Sequence, residues 1–117
     1  MRDMRNRIAV VVVVVVAAAA VALPALSAPS APPKLAATVG PGFTITMKKP
    51  TKAGKYRLVV ADKSSIHNFR LKGPGVNVAT SVPATGTKTF KITLKKGKYT
   101  FLCDPHPTSM IGTFTIK

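Results

Sequence analysis

Near its C-terminus the chain reads Tyr99-Thr100-Phe101-Leu102-Cys103-Asp104-Pro105-His106-Pro107-Thr108-Ser109-Met110. A thiol, an imidazole and a thioether thus fall within eight residues, in the pattern Cys-x2-His-x3-Met. Cys103 is the only cysteine of the chain. The second histidine, His67, lies upstream in Ser65-Ile66-His67-Asn68-Phe69. Two imidazoles and a thiolate with a weak thioether form the donor set of a mononuclear copper site that exchanges single electrons. Such a set suits both Cu(I) and Cu(II), so little rearranges when the metal changes charge. Each residue also has a plainer reading. A lone Cys is often a buried apolar thiol and a Met a core filler. A His in an apolar strand is often a core residue bonded to backbone, and Cys with His also suits zinc.

These side chains need a frame that brings position 67 to position 103. Short β-prone runs recur from Leu35 onward, bounded by Gly, Pro or Lys-Gly turns, with no helical period. Strands are expected at residues 35–39, 43–47 (Phe43, Ile45 and Met47 inward), 55–61 (Tyr56, Leu58 and Val60) and 64–71, the last carrying His67. Further strands are expected at 76–82, at 87–94 with Phe90, Ile92 and Leu94 inward, at 98–103 and at 111–117. Lys95-Lys96-Gly97 reads as a hairpin turn between two of them. In 98–103, Tyr99, Phe101 and Cys103 share one face. Strands this short and evenly spaced argue for an all-β sandwich or barrel. Pro105 and Pro107 fix φ on both sides of His106 and limit its swing. Neither has an N–H to offer the Cys103 sulfur.

The segments Ser65–Phe69 and Tyr99–Met110 resemble the small cupredoxins, the plastocyanin, amicyanin and pseudoazurin group. The resemblance covers roughly the whole chain after its leader. It implies a Greek-key β-sandwich or barrel of seven to eight strands holding one copper ion. By position it makes His67, Cys103 and His106 the equatorial ligands and Met110 the axial one, with Asn68 tying the two ligand segments together. It also implies that His106 lies near the surface within an apolar patch, for which Pro74, Pro105, Pro107 and Ile111 are the candidates. The loop departs from the family pattern. Three residues separate His106 from Met110, where amicyanin-like loops have two and plastocyanin-like loops four.

The chain opens with Arg2, Arg5 and Arg7, continues through residues 8–23 without a polar side chain, and then meets Pro24 and small residues. This is the layout of a secretory signal peptide over residues 1–28. The rival reading is an uncleaved N-terminal anchor, against which the sixteen apolar residues fall short of the roughly 20 a spanning helix needs. Residues 29–34 form a Pro/Ala-rich linker, and 35–117 form one small domain. Export to the periplasm, the cell envelope or the medium follows. In such an oxidising compartment a cysteine without a partner needs a reason, and metal ligation supplies one.

Lys and Arg number 18 against three Asp, a net charge of +15. Loss of Arg2, Arg5, Arg7 and Asp3 with the leader removes a net +2 and leaves +13. That balance favours anionic partners: a redox protein with an acidic surface, an envelope polymer or a membrane surface. The plainer reading is a solvated face that blunts sheet edges. Nucleic acid is excluded, because an exported chain without basic motifs interleaved by aromatics has neither the place nor the stacking platform for it. Arg70 and Lys72 are expected to steer an acidic partner toward the metal.

The leading reading is an exported, monomeric copper protein that shuttles single electrons between redox partners. The alternative is copper storage, delivery or buffering in the cell envelope. A third reading is a basic β-sandwich that binds envelope polymers, its metal site vestigial or filled by zinc. An enzyme is not expected. After the leader the only acids are Asp62 and Asp104, and the sequence shows no partner for either.

Overall fold

The computed structural model describes residues 11–20 and 30–117. Residues 1–10 and 21–29, which include most of the expected leader at 1–28 and the first residue of the expected linker, lie outside the described residues, and 11–20 form neither helix nor strand. Among the described residues no helix is long and apolar enough to cross a membrane.

The domain is all-β, with eight strands in two four-stranded sheets. In chain order they are β1 (Lys34–Val39), β2 (Ile45–Met47), β3 (Gly54–Asp62), β4 (Arg70–Gly73), β5 (Val76–Ala79), β6 (Gly86–Leu94), β7 (Gly97–Leu102) and β8 (Ile111–Ile116). One sheet has the order β2-β1-β3-β6 and the other β5-β4-β7-β8. β1 and β3 run parallel, and the remaining pairs are antiparallel. After β3 the chain crosses to make the β4–β5 hairpin, then returns to lay β6 beside β3.

Period-2 alternation explains most of the sandwich. Leu35, Ala37 and Val39 of β1, Leu58 and Val60 of β3, and Ile92 and Leu94 of β6 meet Leu71, Tyr99, Phe101, Phe114 and Ile116 of the other sheet. Phe69 stacks on Phe101 at 5.9 Å and Tyr99 on Phe114 at 5.2 Å. Each large apolar side chain so buried contributes roughly 1.5–3 kcal/mol. Gly73 and Gly112 lie directly under the rings of Tyr99 and Phe101, where a Cβ has no room. Buried Tyr99 donates its hydroxyl to the Pro74 carbonyl (3.0 Å) and accepts from the Lys95 N–H (2.8 Å).

Four expectations need correction. Lys95-Lys96-Gly97 is not a hairpin, because β6 and β7 belong to different sheets and the turn carries the chain between them. Gly97, at φ +140°, takes a conformation that side chains rarely adopt. Phe43 does not face inward; it is 62% exposed. The Gly40–Gly42 turn, closed by Gly40 N–H on the Thr44 carbonyl, delays the strand to Ile45. Residues 64–69 are a loop rather than a strand, since β4 begins at Arg70. His67, Asn68 and Phe69 are buried consecutively, which no alternating strand on one sheet face achieves. Pro74 sits in the β4–β5 turn against Gly97, at the end of the sandwich opposite Cys103, so it has no part in a patch at the metal.

Candidate metal centre

The loop carrying His67 is shaped by short side-chain bonds. Asp62 accepts the Ser64 N–H at 3.0 Å, and the Val39 carbonyl accepts that of Lys63 at 2.9 Å. Beyond the histidine, Thr80 accepts the Phe69 N–H on its hydroxyl (2.9 Å) and donates its own N–H to the Phe69 carbonyl (2.9 Å). The second loop leaves β7 at Cys103 and closes on itself. His106 N–H donates to the Cys103 carbonyl, Met110 N–H to the His106 carbonyl, and Cys103 N–H to the Met110 carbonyl, each at 3.0 Å. Cys103, His106 and Met110 are thereby fixed against one another by backbone alone.

The loops meet at one end of the sandwich. The His67 and His106 Nδ1 atoms lie 3.1 Å apart, and each lies 3.7 Å from Cys103 Sγ. His67 and Cys103 are fully buried, while His106 is half-buried. Met110 ends the same loop and is buried at 1% exposure. Three lone-pair donors converging this closely satisfy one another poorly, whereas one cation among them satisfies all three. A single cation placed among them would be within bonding reach of all three donors at once. The three residues are therefore positioned to hold one metal ion.

Asn68 joins the two loops. Its backbone N–H points at Cys103 Sγ (3.4 Å), and its side-chain oxygen accepts the Asp104 N–H at 2.7 Å. Its Nδ2 donates to the Asp104 carboxylate (2.7 Å) and to the Thr80 carbonyl (3.1 Å). Asp104, for which the sequence showed no partner, is also held by Arg70 through Nε at 2.7 Å and a second guanidinium nitrogen at 2.9 Å. Those hydrogen bonds hold the Asp104 carboxyl below its usual range, against partial burial, with smaller contributions from Asn68 and from the charges of Arg70 and Lys72. The guanidinium is raised in turn by the same carboxylate. Because Arg70 also donates to Asn77 (2.7 Å), it is a strut of the site and not the free steering charge expected of it.

Sequence reasoning missed Phe43. Its ring meets His67 edge-on at 4.9 Å and His106 at 5.0 Å. With Ile66 (58% exposed) and Ile111 (48%), it belongs to an apolar rim on this end of the domain. The Pro41-Gly42-Phe43 segment carried no signal for this, because the contact is made across the fold.

A β-sandwich with one Cys and two His converging at the end of its sheets defines a small mononuclear metalloprotein. The copper binding proteins of the plastocyanin/azurin family match residues 35–117, and the chain belongs to that family. Copper is accordingly the metal its cluster serves. Solved structures agree in fold. Auracyanin A, a "blue" copper protein from the green thermophilic photosynthetic bacterium Chloroflexus aurantiacus, superposes with a TM-score of 0.51 at 18% identity, over 74% of this chain and 100% of that one. A variant of rusticyanin gives 0.53 at 20% identity over 72% of this chain and 76% of that one. A chain of a heme-copper terminal oxidase dimer gives 0.50 at 18%, over 72% and 63% respectively. No curated protein sequence matches the chain.

Proposed function

We propose that this protein is an exported, monomeric carrier of single electrons in which His67, His106 and Cys103 would hold one copper ion, with Met110 as a further donor. The observation that supports this most is the triangle of Nδ1, Nδ1 and Sγ, with edges of 3.1, 3.7 and 3.7 Å, at the junction of two rigid loops. Copper so bound supplies a one-electron couple. The chain's own residues keep that couple easy to use. The backbone closure from Cys103 to Met110 and the Asn68 bridge hold the donors in one arrangement, so little of the fold has to reorganise. Among the described residues the Asn68 N–H is the one hydrogen bond on the sulfur apart from the imidazoles, and such contacts help set the potential. His106, half-buried within the rim of Phe43, Ile66 and Ile111, is the exit for the electron, and a redox partner docks there. With Arg70 engaged by Asp104, Lys72 remains to attract an acidic surface.

The test is the visible spectrum of the protein with one equivalent of Cu(II), beside Cys103→Ser. An intense thiolate-to-copper absorption that disappears in the variant is the expected result. Copper reduced at once and retained as a colourless Cu(I) form would refute electron carriage and favour copper storage or delivery.

A further inference from the structure

The positive charge is not spread evenly. Of the fifteen Lys and Arg from Lys34 onward, only Lys63, Arg70, Lys72 and Lys88 lie in the half of the sandwich that holds the metal site. Asp62 and Asp104 lie in that half too, and Asp104 is paired with Arg70. Of the other eleven, the strand registers place Lys34, Lys55, Arg57, Lys91 and Lys98 in the opposite half. Lys48, Lys49, Lys52, Lys95, Lys96 and Lys117 follow or flank those strands, with Lys49 also reaching to 6.0 Å from the Phe101 ring, and no carboxylate side chain lies among them. Lys34 stands opposite Arg57 and Arg57 opposite Lys91, while Lys98 pairs with Thr115 beside the C-terminal Lys117. One half therefore carries +11 and the metal half about +2.

Within the basic half, Lys34, Lys48, Lys49 and Lys52 line a cleft of about 320 Å³ beside Pro33 and Tyr56. All four lysines are exposed. The cleft has a fixed floor: the Tyr56 hydroxyl donates to the Lys52 carbonyl at 2.6 Å, and Lys48 N–H donates to the Ala36 carbonyl at 2.8 Å. The N-terminal segment joins the domain here. Arg57 donates its N–H to the Pro33 carbonyl (2.9 Å) and its Nε to that of Pro32 (3.1 Å). Only residues 24–33 separate Lys34 from the apolar run at 8–23. Ten residues reach at most about 33–36 Å, so a bilayer holding that run keeps the basic half close to its surface.

We propose that the basic half is a docking face for an anionic phospholipid bilayer, with a phosphate headgroup seated among Lys34, Lys48, Lys49 and Lys52. Cations close to such a surface are attracted over about a Debye length, and the attraction falls with salt. The lipid is favoured over a soluble polymer because charge and cleft lie at the end where the N-terminal segment joins the domain, so that a leader retained as an anchor, the rival reading of residues 8–23, tethers this face to a bilayer. Docked this way, the domain turns His106 and its apolar rim away from the membrane, toward a soluble partner.

The experiment uses the full chain in phosphatidylcholine vesicles with or without phosphatidylglycerol, so that the leader is present in both and only headgroup charge differs. Lysines are acetylated briefly and read by mass spectrometry, with Lys63 and Lys88 as internal references. With phosphatidylglycerol, Lys34, Lys48, Lys49 and Lys52 are expected to react about tenfold more slowly or less, and high salt abolishes the protection. A variant with these four changed to Gln loses phosphatidylglycerol-dependent protection of Lys55 and Lys91, while its copper absorption shows that it is folded. Equal reactivity in both vesicles would overturn the proposal. So would protection by soluble polyglutamate with none by vesicles, which assigns the face to an acidic polymer.

Discussion

Asn68→Ala tests whether the two loops are held by the bridge described above. The side chain is 2% exposed and makes three hydrogen bonds, one of them to the Asp104 carboxylate and one from the Asp104 N–H. Neutral bonds contribute about 1 kcal/mol each and a bond to a charged group about 1.5–3 kcal/mol. The Asp104 carboxylate is 37% exposed and keeps Arg70, so part of its loss is recovered from water. The net destabilisation of the metal-free protein is about 3–4 kcal/mol, a large share of the 5–15 kcal/mol typical of whole domains. Urea unfolding measures it as a lower midpoint at unchanged slope. The backbone N–H on Cys103 Sγ survives the change, so copper still binds but is released faster. A double-mutant cycle with Asp104→Ala isolates the carboxylate bond and is expected to give coupling of at least about 1 kcal/mol. A loss below about 1 kcal/mol for Asn68→Ala, or no coupling in the cycle, would refute the bridge.

Gly112→Ala drives a Cβ into the Phe101 ring, which is pinned by its stack on Phe69. It is expected to cost about 1–3 kcal/mol, as overpacking does, and Phe101→Leu in the same chain recovers part of that in thermal unfolding. A wild-type midpoint for Gly112→Ala would contradict the close approach. Phe43→Ala removes an exposed ring from the edges of His67 and His106. Stability is expected to change by no more than about 0.5 kcal/mol, while water reaching the histidines favours the more highly charged Cu(II) form and lowers the potential. Voltammetry decides it, and an unchanged or raised potential would contradict the shielding role of Phe43.

Local chemistry explains what could be read in advance. Alternating burial in β1, β3, β6 and β7 is a property of each strand and its own side chains, so those strands were placed within a residue or two. Cys103, His106 and Met110 share one loop, and covalent spacing alone keeps them near one another. Residues 64–69 read as part of a strand because Ile66 and Phe69 lead without a Gly or Pro break into the true strand that begins at Arg70. The real form of this loop comes from Asp62, Thr80 and Asp104, side chains that reach it from three other segments.

Donor types, the all-β class and the excess of positive charge depend on composition or on neighbours along the chain, so they are legible without a fold. That His67 meets a thiol 36 residues away, that Phe43 covers both imidazoles, that Arg70 is locked by Asp104 and that positive charge gathers at the end away from the metal are consequences of the folded arrangement. Those facts depend on which strands pair and in what register, and pairing is fixed by the burial of the whole core at once.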